Sequence, residues 1–301
     1  MLSPASFDTH LRVMILFVAT GFIVLEYGLS RLAHHDGHDL KESAASFAVW
    51  IGHGALRALE AGLLAVPFAL AYQYRLFDFD TFSPLGLGAL FLLTEFAYYW
   101  YHRASHRIRW LWATHAVHHS STRMNLTAAV RLGWTGTISG HFLFFLPLAF
   151  LGFHPIAIVG MLTINLAYQF FTHTELSPRL GPLEWVLNTP AHHRVHHASN
   201  TACLDRNYGG VLIVFDRLFG TFAEAPKDEP LRYGLVGVKP SLNPLKIAFG
   251  EWARMGRDLG NAGSWRERVR AVLAPPGPPI RPKTVAEKPR TAPTPFIIQG
   301  E

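Results

Sequence analysis

The stretch LGLGALFLLTEFAYYWYHRASH, running from Leu85 to His106, decides what kind of chain this is. Through Tyr101 it holds one charged group, Glu95, and it then ends in two histidines four residues apart. A soluble core helix usually carries a polar face, whereas runs of about 17 to 25 apolar residues suit the hydrocarbon of a bilayer. Working outward, Val13–Leu25 has no charged residue, and neither Thr135–Leu151 nor Pro155–Phe171 contains Asp, Glu, Lys or Arg. Leu56–Tyr74 forms a further candidate span, with Arg57 and Glu60 at an interface, and Ala44–Gly54 just before it is also apolar. The expected fold is therefore all-α: a multispan membrane helical bundle of four to six spans with a cytoplasmic helical cap carrying the histidines. Only Arg12 precedes the first span and no small-residue cleavage site follows it, so it reads as a retained anchor.

The chain has 301 residues, half of them apolar, and a formal charge of +6. Its basic residues are scattered among apolar runs rather than gathered on a polar domain, which argues against nucleic acid as a partner. From His102 to Trp134 there are five arginines and no acid, and the positive-inside rule places that segment in the cytoplasm. Gly152, Phe153 and His154 join the next two spans as a hairpin, which returns His173 to the same side; Arg75–Pro84 falls on the other. The single cysteine, Cys203, excludes an internal disulfide and a cysteine-rich metal cluster. The expected divisions are N-terminal spans over 1–84, a histidine-box catalytic domain over 85–222 and peripheral helices over 223–272. A disordered tail is expected over 273–301, where eight prolines fall between Pro275 and Pro295.

Nine of seventeen histidines crowd into two windows, 102–119 and 192–197. His102 and His106 are i and i+4, while His115, His118 and His119 are i, i+3 and i+4, as are His193, His196 and His197. On helices each set shares one face. A single box is compatible with packing or salt-bridge roles; three of them, with His173 at the exit of the returning span, point to metal. Imidazole suits iron, zinc, copper and nickel alike. Eight or nine histidines exceed what one ion accepts, and zinc lacks redox chemistry, so two irons make better use of the set. His192 adjoins a complete box but points about 100° away on a helix, as an extra ligand or an outer donor. His141 lies inside a span without a spacing partner. The others (His10, His34, His35, His38, His53 and His154) read as loop, surface or helix-terminal groups. Glu95 stands seven residues before His102, and a carboxylate in a span is costly unless partnered. It is the leading candidate to receive the free N–H of a ligating histidine.

Together these motifs resemble the fatty acid hydroxylase/sterol desaturase superfamily. The resemblance rests on YYWYHRASH (Tyr98–His106), His115-x-x-His118-His119-Ser120, QFFTHTE (Gln169–Glu175), LGPLEW (Leu180–Trp185), TPAHHRVHH (Thr189–His197), DRNYGG (Asp205–Gly210) and FDRLFGT (Phe215–Thr221). It covers about residues 93 to 222, with a weaker echo to 260, and within the superfamily it most resembles the alkylglycerol monooxygenase branch and its bacterial relatives. It implies a di-iron centre at His102, His106, His115, His118, His119, His173, His193, His196 and His197, supported from outside by Asn200, Asp205 and Asn207. Glu95 departs from the Asp usual in related sequences, which puts its hydrogen-bond geometry in doubt. The N-terminal third carries no match.

The implied function is an oxygenase that uses dioxygen to hydroxylate a C–H bond of a lipid, whether ether lipid, fatty acyl or sterol-like. No nucleotide-binding motif occurs in the chain, so electrons come from an external reductant, a pterin or an electron-transfer protein. Two rivals remain: a desaturase using the same site, and a metal transporter, which predicts ligands strung through the spans rather than gathered at one end.

Overall fold

The computed structural model describes residues 4–34, 36–277 and 280, with side chains described from Leu16 onward except at Ala61. His35 and the bulk of the proline-rich tail lie outside the described residues, as does the side chain of His10. The described residues form twelve α-helices: α1 Pro4–Leu32, α2 Leu40–Gln73, α3 Pro84–Arg107, α4 Arg109–His115, α5 Leu126–Ala129, α6 Gly136–Ser139, α7 Leu146–Leu151, α8 Pro155–Thr172, α9 Pro190–His197, α10 Val214–Leu218, α11 Pro244–Asn261 and α12 Trp265–Leu273. No strand occurs among them, only two isolated bridges, Leu187 with Leu212 and Ala198 with Tyr233.

Local chemistry sets the ends of the long helices. Asp39 accepts from the amides of Lys41 and Glu42 at the start of α2, and Ser83 accepts from Gly86 ahead of Pro84 in α3. His154 accepts from Ile156 to open α8, the helix-terminal role its place before Pro155 suggested. Ala44–Gly54 and Leu56–Tyr74 are not separate spans. Both fall in α2, which bends by 51° between Leu40–Glu60 and Gly62–Gln73, where Gly62 and the missing N–H of Pro67 weaken the helix.

The expected Thr135–Leu151 span is corrected by the structure: the segment divides into α6, a 3₁₀ turn at His141–Phe144 and α7. Gly140, with φ of 81°, terminates the first piece, and Pro147 opens the last. Among the described residues, α8 is long and apolar enough to cross a membrane, and the two parts of bent α2 satisfy that test together.

Leu90, Tyr98, Phe145, Leu148, Ala149, Phe153 and Ile158 bury a shared core between α3, α7 and α8. Burying a side chain such as Leu or Ile contributes about 1.5 to 3 kcal/mol. The outer faces of α2, α3 and α8 remain bare: Leu63 is 70% exposed, Leu85 83% and Ile156 71%. The polar ends of α3 and α8 meet the segment 173–221, whose carbonyls and amides close over the histidines.

Candidate metal centre

Nine histidines converge from five elements into two adjoining groups. His102 and His106 from α3, His115 from α4, His119 from the 3₁₀ turn His118–Ser120 and His196 from α9 form one group. His118 from the same turn, His173 capping α8, and His193 and His197 from α9 form the other. Within each group the candidate ligand nitrogens lie within 4.8 Å of one another. The groups touch where the rings of His119 and His197 stack at 4.3 Å.

The boxes therefore do not each present one face to one ion. The helix carrying His115 ends there, and the chain winds into a tighter 3₁₀ turn, where the Nδ1 of His118 reaches the Arg131 carbonyl at 3.3 Å. That hydrogen bond turns His118 toward His173, while His119 stays with His115. On α9, His193 and His197, one helical turn apart, face the second group, and His196 faces the first.

Backbone carbonyls fix how these rings are protonated. A carbonyl only accepts, so the Nδ1 atoms of His102, His118, His173 and His196 carry the protons, donating to Tyr208, Arg131, Gln169 and Arg206. Their Nε2 atoms are bare lone pairs. The Nε2 atoms of His118 and His173 nonetheless stand 3.1 Å apart. Two facing lone pairs at that distance repel unless a cation lies between them. The Nε2 atoms of His106, His196 and His197 are buried without any hydrogen-bond partner among the described residues, where an unpaired polar atom costs about 1 to 3 kcal/mol. Burial also depresses the basicity of the rings, pushing His118 down to about 4 and His196 to about 3, so both are neutral near pH 7. Neutral, buried, convergent nitrogens fit transition-metal ions, five donors in one group and four in the other.

The remaining expected site residues lie elsewhere. His192 is in neither group; its Nδ1 accepts from the Thr189 amide at 3.4 Å, at the start of α9. Asp205 bonds Arg107 at 2.8 Å and stands 3.9 Å from the Nδ1 of His106, beyond hydrogen-bond range. Asn207, with φ of 56°, donates to the carbonyls of His192 and Ala223 and accepts from Ala223, stapling α9 to the following loop. Asn200 ties to Pro230 and Arg232. His141 meets the Tyr101 hydroxyl at 3.3 Å and joins neither group.

Glu95 corrects its expectation, for it receives no imidazole N–H. One of its oxygens accepts from Asn165 and the other from the amides of Val211 and Leu212, at 2.8 and 2.9 Å. The physical reason is position: Glu95 sits two helical turns before His102, level with α8 and the 208–213 loop rather than with the rings. Asp216, fully buried, holds the same loop from its other end, accepting from Tyr208, Gly209 and Thr221.

Sequence reasoning passed over Asp216 as a site residue, and with it Asn165, Gln169 and Arg131. Two amides four residues apart in the apolar α8 were the available signal for Asn165 and Gln169, which link Glu95 to Tyr98 through successive hydrogen bonds. The close approach of the loop needs Gly210, where an added Cβ would fall 2.2 Å from the Asn165 side chain.

The comparisons with known proteins agree with this geometry. Residues 87–221 match the family model described as fatty acid hydroxylase. The chain is 44% identical over 207 residues to an alkylglycerol monooxygenase of Xenopus tropicalis, covering 68% of this chain and 45% of the relative. It is 45% identical over 178 residues to the Homo sapiens alkylglycerol monooxygenase, covering 59% and 39%. An ornithine lipid hydroxylase of Rhizobium tropici is 30% identical over 172 residues, covering 57% and 50%. The chain thus spans half or less of the length of these relatives. No solved structure matches it. Residues 87–221, which carry all nine converging histidines, are a fatty acid hydroxylase family domain.

Proposed function

We propose that the chain is an integral-membrane, non-haem di-iron monooxygenase that hydroxylates a C–H bond of a lipid. The observation that carries this reading is the pairing of a five-histidine and a four-histidine group in contact, with the bare Nε2 atoms of His118 and His173 held face to face by carbonyl-anchored Nδ1–H groups. The lipid class follows from the matched relatives, whose names specify alkylglycerols and ornithine lipids. Membrane placement is supported by the bare apolar faces of α2, α3 and α8. The arginine-rich, acid-free segment 102–134 supports a cytoplasmic position for the boxes.

Two irons held by the groups supply the capacity to activate dioxygen with externally donated electrons and to insert one oxygen atom into an aliphatic C–H bond. The chain's own residues hold the site ready for this. Tyr208, Arg131, Gln169 and Arg206 keep four rings oriented through their carbonyls, so little reorganisation accompanies metal binding. The segment 173–221 covers the rings and keeps bulk water from them, while the spans place an acyl or alkyl chain beside the buried cluster. Gathering of all nine ligands in one cluster also favours an enzyme over a metal transporter.

The test is purification with metal analysis, followed by lipid oxidation under ¹⁸O₂ with reductants of each class. Two irons per chain and one ¹⁸O atom in the lipid product are expected. An alkene without ¹⁸O assigns a desaturase instead, and an iron-free chain that consumes no oxygen overturns the proposal.

A further inference from the structure

A cleft of about 690 Å³ opens between α11 and the loop 235–241, well away in sequence from the histidine boxes it adjoins. Ala116 and Ser120, from the segment that also bears His115, His118 and His119, belong to its wall. Its volume falls within the range of about 300 to 1,000 Å³ common for small-molecule sites. Leu235, Val238, Leu245 and Phe249 give it an apolar lining, with Leu245 60% exposed and Phe249 41%.

The charges around that lining are one-sided. Lys239, Lys246 and Arg257 are exposed and make no ion pair or side-chain hydrogen bond among the described residues. The one acid of the lining, Glu251, is already engaged by Arg109 and Arg254. Apolar floor and unpaired cations together select an anionic amphiphile: a free anion leaves the floor wet, and a neutral lipid leaves the cations unanswered. The buried side of α11 packs through Ile247 on Ala45 and Val49 of α2, whose neighbouring Phe47, Trp50 and Ile51 are exposed.

We propose that this cleft binds an anionic phospholipid. Lys239, Lys246 and Arg257 supply the positive rim that its anionic headgroup meets, and the first part of one acyl chain lies on Leu235, Val238, Leu245 and Phe249. The proposal rests on the membrane placement proposed above and is independent of the metal chemistry.

The full chain in detergent is mixed with equal amounts of phosphatidylglycerol and phosphatidylcholine, and lipid retention is read by native mass spectrometry. Each cation near an anionic headgroup strengthens binding by about fivefold. Phosphatidylglycerol is therefore expected to be retained at least about tenfold over phosphatidylcholine. The K239A/K246A/R257A variant is expected to lose that preference while keeping its metal content and thermal midpoint. A preference that survives in the variant, or displacement of phosphatidylglycerol by inorganic phosphate alone at equal concentration, overturns the site. If both lipids are retained without preference, the site fails while the membrane reading stands. A chain that needs no detergent and retains neither lipid removes both.

Discussion

The Nδ1–H of His102 ends on the carbonyl of Tyr208, and the loop bearing that carbonyl is gripped on both sides by carboxylates: Asp216 at the amides of Tyr208 and Gly209, Glu95 at those of Val211 and Leu212. Replacing Asp216 by Asn turns one acceptor into a donor facing an N–H or hydroxyl. It is expected to cost about 1 to 3 kcal/mol, visible as a lower thermal midpoint together with reduced metal content. A paired substitution separates ligands from their neighbours. His193→Ala is expected to deplete metal from both groups, whereas His192→Ala retains it and loses only about 1 kcal/mol of stability from the α9 cap; metal analysis and thermal unfolding check both. Eight of the nine converging histidines were legible because their spacing is local, at i, i+3 and i+4, and His173 because it stands at the exit of a returning apolar run. The division of the His115–His119 and His193–His197 boxes between two groups was not; in the first it depends on the Arg131 carbonyl thirteen residues from His118. Nor was the role of Glu95, whose partners are backbone amides 116 and 117 residues away and leave no mark in side-chain pattern.

Helix α11 docks on α4 through one buried cation. Arg109 donates to Glu251 and Asp258, and both carboxylates are buried with it. Removing one member of such a set leaves charge uncompensated, at a cost of about 3 to 5 kcal/mol. Arg109→Met is expected to raise hydrogen exchange over Pro244–Asn261 sharply, and adding E251Q and D258N to it restores protection; exchange mass spectrometry reads both. The helix itself falls within the peripheral helices expected over 223–272. The break of the expected span over Thr135–Leu151 was not legible. Composition there is uniformly free of acidic and basic groups other than His141, and the break depends on Gly140 adopting a left-handed conformation that sequence pattern does not distinguish from a tolerated helical glycine.

For the whole molecule, proton uptake sets an acid limit. His118 and His196 have pKa values pushed from 6.5 to about 4 and about 3. Below 6.5 these two rings bind protons in the unfolded chain that they refuse in the folded one, so their contribution to stability is fully present above 6.5, falls as pH drops toward 4 and 3, and levels off below. Unfolding of the iron-free chain against pH is expected to show that fall as pH drops below 6.5. The all-helical architecture was legible at this scale because long apolar runs admit little else.

The interleaving of the boxes has a further consequence for how the protein acquires metal. His118 and His119 are neighbours serving different groups, as are His196 and His197, so a ring cannot be ordered in one group without ordering its neighbour in the other. Loading should then be cooperative. Chains titrated with ferrous ion would hold either a full complement or none, and mild chelation would empty both positions in a single step.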